Sequence, residues 1–312
     1  MNIFEVRSRF SEVCFATAIN VFPMFGKNDK NKSDEIAVNT MRKKLSELEF
    51  GTRIVIGEGE KDDAPMLYAG EVLGKGEVLY DLVVDPLECT TNFSKGLPNS
   101  MSVLGFSEKN GIRSVPGTYM EQWVAGPKMK LTFNLNVSIE KNIKALSDCL
   151  EKKIQDLVIV VQERPRHESL IAELRRLGVK VSLIDSGSLT AVLDICLEGG
   201  YYDAMIGTYG APEGLMAALI AKCTYSEMKG IIKPHNDKTK EEMIQMGFKE
   251  DEILNIDSLI SGVKIGFVAA CISPNVLMSG VRNRDNHLQT DVISILRDIP
   301  ATKIRMGVID GT

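Results

Sequence analysis

The chain has 312 residues, 44% hydrophobic and 25% charged, with 37 Lys and Arg against 42 Asp and Glu for a net charge of −5. A chain of this length buries roughly three quarters of its unfolded surface, which excludes disorder, collagen-like repeats and a small disulfide scaffold. Without net positive charge, and with only 6% aromatic residues for base stacking, neither nucleic acid nor an anionic membrane is expected as a partner.

Ile3, Val6, Phe10, Val13, Cys14 and Thr17 recur at three- and four-residue steps, which predicts an amphipathic helix. A secretory leader is not expected, because Glu5 and Glu12 interrupt the basic flank and Ala16-Thr17-Ala18 lies inside the apolar stretch. No run reaches the ~18 apolar residues of a membrane span. Residues 26–34 read as a polar loop, and a helix follows with Ile36, Ala37, Thr40, Met41, Leu45 and Leu48 on one face and Asp34 at its start. A short strand at 53–56 ends in Gly57-Glu58-Gly59-Glu60, a helix is expected at 64–73, and a strand at 79–84 stops at Asp85-Pro86. Several short β runs fill 99–139.

From about residue 156 strand and helix alternate: strands at 157–161, 179–184 and 203–207, helices at 167–177, 189–197 and 213–222. Such alternation predicts βαβ units on a parallel sheet. Residues 233–252 are charged and partly helical, and 264–272 carries a weaker strand pattern. The change of pattern places a domain boundary near 140–155, giving an α+β domain at 1–150 and an α/β domain at 151–312. Cys14, Cys89, Cys149, Cys196, Cys223 and Cys271 are scattered without a C-x-x-C pair, as expected of reduced thiols in a cytoplasmic protein.

Ligand sites in open α/β sheets form outside the carboxyl ends of strands. Glu58 and Glu60 follow one predicted strand, Asp85 and Glu88 another, Glu213 lies between a strand and a helix, and Asp34 lies in the N-terminal loop. Gathered together, such carboxylates repel one another unless cations hold them, and their hard oxygens suit Mg²⁺ or Mn²⁺. Two such ions can activate a water and steady both oxygens of a phosphoryl transfer. Arg164-Pro165-Arg166 opens a helix straight after an apolar strand, which makes a phosphate clamp. The Gly-rich segment 207–214 opens another helix, but neither the P-loop nor the dinucleotide fingerprint is present.

The segments IGEGEKDDAPMLYAGE (56–71), VDPLECTTN (84–92), RPRH (164–167), GAPEG (210–214) and KNKSDEIAVNTMR (30–42) resemble class II fructose-1,6-bisphosphatase, a family within the lithium-sensitive sugar and inositol phosphatase superfamily. The resemblance runs from the N-terminus to about residue 225. It implies a layered α-β-α-β-α sugar-phosphatase fold with mixed sheets. It also implies a cytoplasmic, homo-oligomeric gluconeogenic enzyme that uses Mn²⁺ or Mg²⁺ to remove the 1-phosphate of fructose 1,6-bisphosphate. Matched by motif, Asp34 and Glu58 hold one metal, and Asp85, Glu88 and Glu213 the other. Asp62 helps to activate the attacking water, with Glu60 in support and Thr90 orienting it. Lys30, Glu88, Cys89, Thr90, Tyr119, Arg164, Pro165, Arg166, Ser186, Gly187, Ser188 and Gly210 contact the substrate.

Three departures stand out. Cys89 replaces a Gly whose freedom allows a positive φ or close backbone approach. Ser186-Gly187-Ser188 replaces Asp-Gly-Asp, exchanging charged acceptors for neutral ones at about 1.5 to 3 kcal/mol per charged hydrogen bond. The C-terminal part lacks the family's basic, aromatic tail. These departures keep two alternatives open: a phosphatase of another sugar bisphosphate such as sedoheptulose 1,7-bisphosphate, or a non-catalytic phosphosugar-binding relative.

Overall fold

The computed structural model describes residues 2–58, 66–127, 133–284 and 287–309. In chain order its elements are α1 (Ile3–Val21), α2 (Lys30–Ser46), β1 (Gly51–Ile56), β2 (Val72–Leu73), β3 (Val78–Glu88), α3 (Thr90–Ser94), β4 (Met101–Glu108), β5 (Tyr119–Ala125), α4 (Ile139–Leu150), β6 (Val158–Gln162), α5 (Glu168–Arg176), β7 (Lys180–Ile184), α6 (Ser188–Cys196), β8 (Ala204–Gly210), α7 (Ala211–Thr224), β9 (Glu227–Lys233), α8 (Asp237–Gln245), β10 (Leu254–Asn255), α9 (Ile256–Leu259), β11 (Ile265–Cys271), β12 (Arg282–Arg284), β13 (His287–Leu296) and β14 (Ile299–Ile309). They divide into two compact units, Met1–Ile112 with Gly262–Thr312, and Arg113–Ser261. This differs from a division at 140–155. The chain leaves its first sheet after β4 and returns to it at β11, which pairs antiparallel with β4 from Ile265↔Ser107 to Cys271↔Met101. Such non-local pairing leaves no mark on local periodicity.

In the first unit, α1 forms where the apolar spacing places it. A capping box closes its start: Glu5 N–H donates to the Asn2 side chain (2.9 Å) and Asn2 N–H to Glu5 Oε2 (3.0 Å). Its buried stripe includes Val6, Phe10, Val13, Cys14 and Ala18. Phe10 meets Phe50, Tyr80 and Phe106 at ring separations of 5.8, 6.2 and 4.9 Å. Truncating so central a ring costs about 3 to 5 kcal/mol. The sheet beneath runs β12-β13-β11-β4-β3-β1-β2, with β14 on the far side of β13.

Three local expectations change. The cap of α2 is Asp29, whose side chain accepts from Lys32 N–H at 3.0 Å, so Asp34 lies inside the helix rather than at its start. The described part of 64–73 is not helical. Glu71 accepts from both Leu67 N–H and Arg42 Nε at 2.6 Å, fixing a turn, and Val72 and Leu73 pair with Arg53 and Thr52 of β1. Strand β3 does not stop at Pro86 but continues to Glu88 through a bulge, three steps on β3 (Asp85 to Glu88) facing two on β4 (Val103 to Met101). A bulge accommodates a proline because the ladder there asks for no N–H.

The second unit carries the order β10-β9-β5-β8-β6-β7. The expected parallel strands are present, with β6 parallel to both β7 and β8. Antiparallel β5, β9 and β10 extend them, so this sheet, like the first, is mixed. Ile159, Val161, Ala204 and Ile206 pack with Ile143 and Leu146 of α4 and Ile171 and Leu174 of α5. The intervening Val160 and Met205 are also buried and point to the other face by strand alternation. Two mixed sheets with packed helices are therefore the architecture, in line with an α/β sugar-phosphatase fold.

Candidate active site

In the first unit the carboxyl ends of neighbouring parallel strands carry acids. Ile56 of β1 pairs with Val83 of β3, so Glu58 and Asp85 each lie two residues beyond a matched pair. Past the bulge, Glu88 is only 6% exposed. The chain then turns through Cys89, at φ 68° and ψ 40°, into α3. Thr90 Oγ1 lies 3.1 Å from Asp34 Oδ1 and 2.9 Å from the Leu87 carbonyl, while Leu87 N–H donates to Asp85 Oδ1 at 3.1 Å. One connected path thus links Asp34, Thr90 and Asp85. Lys30, four residues before Asp34 and so on the same face of α2, donates to Thr91 Oγ1 at 2.9 Å.

All side-chain donors along this path are oxygens, a set that fits a hard divalent cation and not a thiophilic one. Among the described residues, no group of three or more His, Cys, Asp or Glu closes into a metal-holding cluster. Glu60 and Asp62 lie outside the described residues.

In the second unit the predicted residues collect at the carboxyl ends of β6, β7 and β8. Arg164 Nη2 donates to the Asp185 carbonyl at 2.7 Å, which ties it to the bend before Ser186. Gly187 there is left-handed (φ 84°), and Ser188 is buried as the first residue of α6. Pro165 starts the short 3-10 turn Pro165–His167. Arg166 donates from Nε to the Thr208 carbonyl (2.9 Å) and from Nη2 to Gln162 Oε1 (3.0 Å), and its Cζ lies 4.9 Å from the centre of the Tyr119 ring. Tyr119 in turn pairs in register with Gly210 across β5 and β8.

Gly210 keeps an ordinary extended backbone (φ −62°, ψ 143°), but the Glu213 carboxylate occupies the space of a Cβ there and would have to move to admit one. Glu213 occupies the first turn of α7, and burial pushes its carboxyl above the usual range. An acid in a helix's first turn is favoured by the helix dipole, and a cation would restore the charge that burial disfavours.

Several contributors escaped the sequence reading. Gln162 and Thr208 hold Arg166. Gln122, 1% exposed, donates to the Gly210 carbonyl at 3.0 Å. His235 packs edge-on to Tyr119 at 5.6 Å and meets Thr118 Oγ1 at 3.0 Å. Their parts are played through main-chain carbonyls or ring edges, and only the loss of helical or strand periodicity at an element's end could have hinted at them.

Over residues 5–306 the chain matches the family described as bacterial fructose-1,6-bisphosphatase, glpX-encoded. It is 37% identical over 297 residues to the D-fructose 1,6-bisphosphatase class 2/sedoheptulose 1,7-bisphosphatase of Synechocystis sp., covering 87% of this chain and 86% of that one. The protein of the same name from Synechococcus elongatus is 38% identical over the same shares. The fructose-1,6-bisphosphatase class 2 of Haemophilus influenzae is 34% identical over 92% of this chain and 90% of that one. Among solved structures, the native suhB extragenic suppressor protein of Bartonella henselae aligns at a TM-score of 0.36 and 17% identity over 62% of this chain and 75% of that one, too remote to support an argument.

Proposed function

Because the chain belongs to the bacterial glpX-encoded fructose-1,6-bisphosphatase family, we propose that it hydrolyses the 1-phosphate of fructose 1,6-bisphosphate to fructose 6-phosphate and phosphate with divalent cations. It is a phosphoric monoester hydrolase. The observation that carries the reading is the Thr90 hydroxyl 3.1 Å from Asp34 at the end of β3, where Asp85 and Glu88 also lie.

Asp34 and Glu58 would hold one cation, Asp85 and Glu88 another, and Glu213 would serve as a further carboxylate ligand, with Mn²⁺ or Mg²⁺ matching their oxygens. Bound there, the cations supply charge neutralisation for the phosphoryl group and a nucleophilic water at neutral pH. Thr90 would orient the attacking water, and Asp62, supported by Glu60, would help to activate it. Lys30 adds positive charge beside the Cys89–Thr90 turn. Arg164 and Arg166, flanking Pro165 ahead of α5, bind the phosphate that is not cleaved, each through N–H groups beyond those given to carbonyls. Tyr119 shapes that pocket beside Gly210, and Ser186, Gly187 and Ser188 meet the sugar hydroxyls. Catalysis then rests on positioning and electrostatics more than on covalent chemistry.

Neutral serines at 186 and 188 select weakly among sugars, which favours sedoheptulose 1,7-bisphosphate as a second substrate, an activity that the names of two relatives also carry. Among the described residues no helix is long and apolar enough to cross a membrane. A cytoplasmic homo-oligomer acting in gluconeogenesis completes the reading.

Phosphate release from both bisphosphates with Mn²⁺ or Mg²⁺ tests it. Turnover is expected with fructose 1,6-bisphosphate, abolished by EDTA and in Glu213→Ala. Metal binding by calorimetry without turnover on either sugar would leave only a binding protein.

A further inference from the structure

The parallel pairing of β6 and β8 is brief. Ile159 pairs with Ala204 and Val160 with Met205, and there the recorded ladder ends. Continued two steps, the same register would set Gln162 against Gly207. At that level a side chain takes over the cross-strand contacts. His167, 2% exposed, places Nδ1 at 2.7 Å from the Gln162 carbonyl and Nε2 at 2.8 Å from the Thr208 N–H. The two contacts fix its tautomer: Nδ1–H donates to the carbonyl, and bare Nε2 accepts from the amide.

Room for the ring comes from Gly207. Its φ is +150°, a conformation that L side chains rarely adopt, and a Cβ there would lie 3.0 Å from His167 Nε2 and 3.1 Å from Cε1. The imidazole thus bridges two strand ends that the backbone no longer joins. Those ends belong to the two residues that hold Arg166. Gln162 receives Arg166 Nη2 on its side chain and His167 on its carbonyl, while Thr208 receives Arg166 Nε on its carbonyl and gives its N–H to His167.

We propose that His167 is a positioning residue for substrate binding: by bridging Gln162 and Thr208 it sets the spacing at which they hold the Arg166 guanidinium over Tyr119. The role rests on Arg166 as a phosphate-binding group, the assignment made above. His167 touches no reacting atom. Its effect falls on how firmly the bisphosphate is gripped, so it belongs in KM more than in kcat.

The experiment is steady-state kinetics on fructose 1,6-bisphosphate with Mn²⁺, using the full chain. Arg166→Ala and His167→Leu are each expected to raise KM about tenfold or more, with kcat changed by less than about threefold. In the double variant, His167→Leu is expected to add less than about twofold to the KM of Arg166→Ala, because it acts through that guanidinium. His167→Asn keeps a donor near the Nδ1 position, and His167→Gln keeps an acceptor near Nε2. Both supply the measurement if the leucine variant fails to fold, and both are expected to fall between wild type and leucine. A raised KM in Arg166→Ala with an unchanged KM in every folded His167 variant would overturn the bridge alone, as would full additivity in the double variant. An unchanged KM in Arg166→Ala would overturn the assignment of Arg166 and this role with it.

Discussion

Two turns invite comparison, one in each unit. In the first unit β3 passes through Cys89 into α3, and in the second β8 passes through Gly210 into α7. Both connect a strand's carboxyl end to a helix, and both carry an acid one or three residues away. Their demands on the backbone are opposite. Cys89 sits at φ 68°, where conformation disfavours a side chain, yet it has one. Gly210 sits at φ −62°, where any residue is at ease, yet the Glu213 carboxylate fills the space a Cβ would need. Glycine at such a turn therefore answers two separate needs, and a sequence motif records the glycine without saying which.

Breaking the second turn should have the largest effect. Gly210→Ala must displace the Glu213 carboxylate, and a displacement near 1 Å is expected to lower kcat about a hundredfold. Steady-state kinetics with a circular dichroism control would show it, and retained activity would mean the close packing is dispensable. Next comes the link at the first turn. Thr90→Val removes the hydroxyl that joins Asp34 to the β3 end and is expected to cost roughly 10- to 100-fold in Mn²⁺ affinity or kcat, read by calorimetric titration and turnover. Relieving the first turn has a smaller, opposite effect. Cys89→Gly is expected to raise stability by about 1 kcal/mol, since the left-handed conformation costs a side-chain-bearing residue that much. Cys89→Ala should give no comparable gain in melting temperature, and equal gains from both would place the strain elsewhere.

The smallest effect separates the units by pH. Desolvation holds His167 below its ordinary value of 6.5, with repulsion from Arg166 and Arg164 adding to it and the hydrogen bond to the Gln162 carbonyl opposing it. The unfolded chain therefore takes up the proton first as pH falls. The stability due to neutral His167 is complete above 6.5 and is lost as pH falls through the lower folded value. Urea melts between pH 7 and 5 should show this slope, and His167→Gln should flatten it.

Local structure was legible where local forces decide it. The stripe of α1, the alternation from β6 to α7 and the acids at strand ends all follow from spacing and turn residues. Asp29 rather than Asp34 caps α2 because two acids near one helix start look alike until the hydrogen bond to Lys32 is seen. The turn at 66–71 escaped notice because Arg42, 29 positions away from Glu71, fixes it. The return of β11 to β4 is likewise a long-range choice among apolar segments of similar pattern. In the candidate site, acids and arginines stand out by residue type alone. Gln162 and Thr208 do not, because any residue offers a carbonyl and only the fold decides which one is used.

The point where the chain leaves the first unit and the point where it returns are neighbours. Gly262 N–H donates to the Gly111 carbonyl at 3.1 Å, and in the second unit Arg113 N–H donates to the Leu259 carbonyl at 2.8 Å. Each unit's cut ends are already side by side, so closing either one asks for only a residue or two of linker and little loop entropy. The segment 113–261 is thus laid out as a cassette. Sutured at Gly111 and Gly262, the remainder would keep its β4–β11 ladder uninterrupted, and the excised piece could be produced as a chain of its own or exchanged for that of a relative.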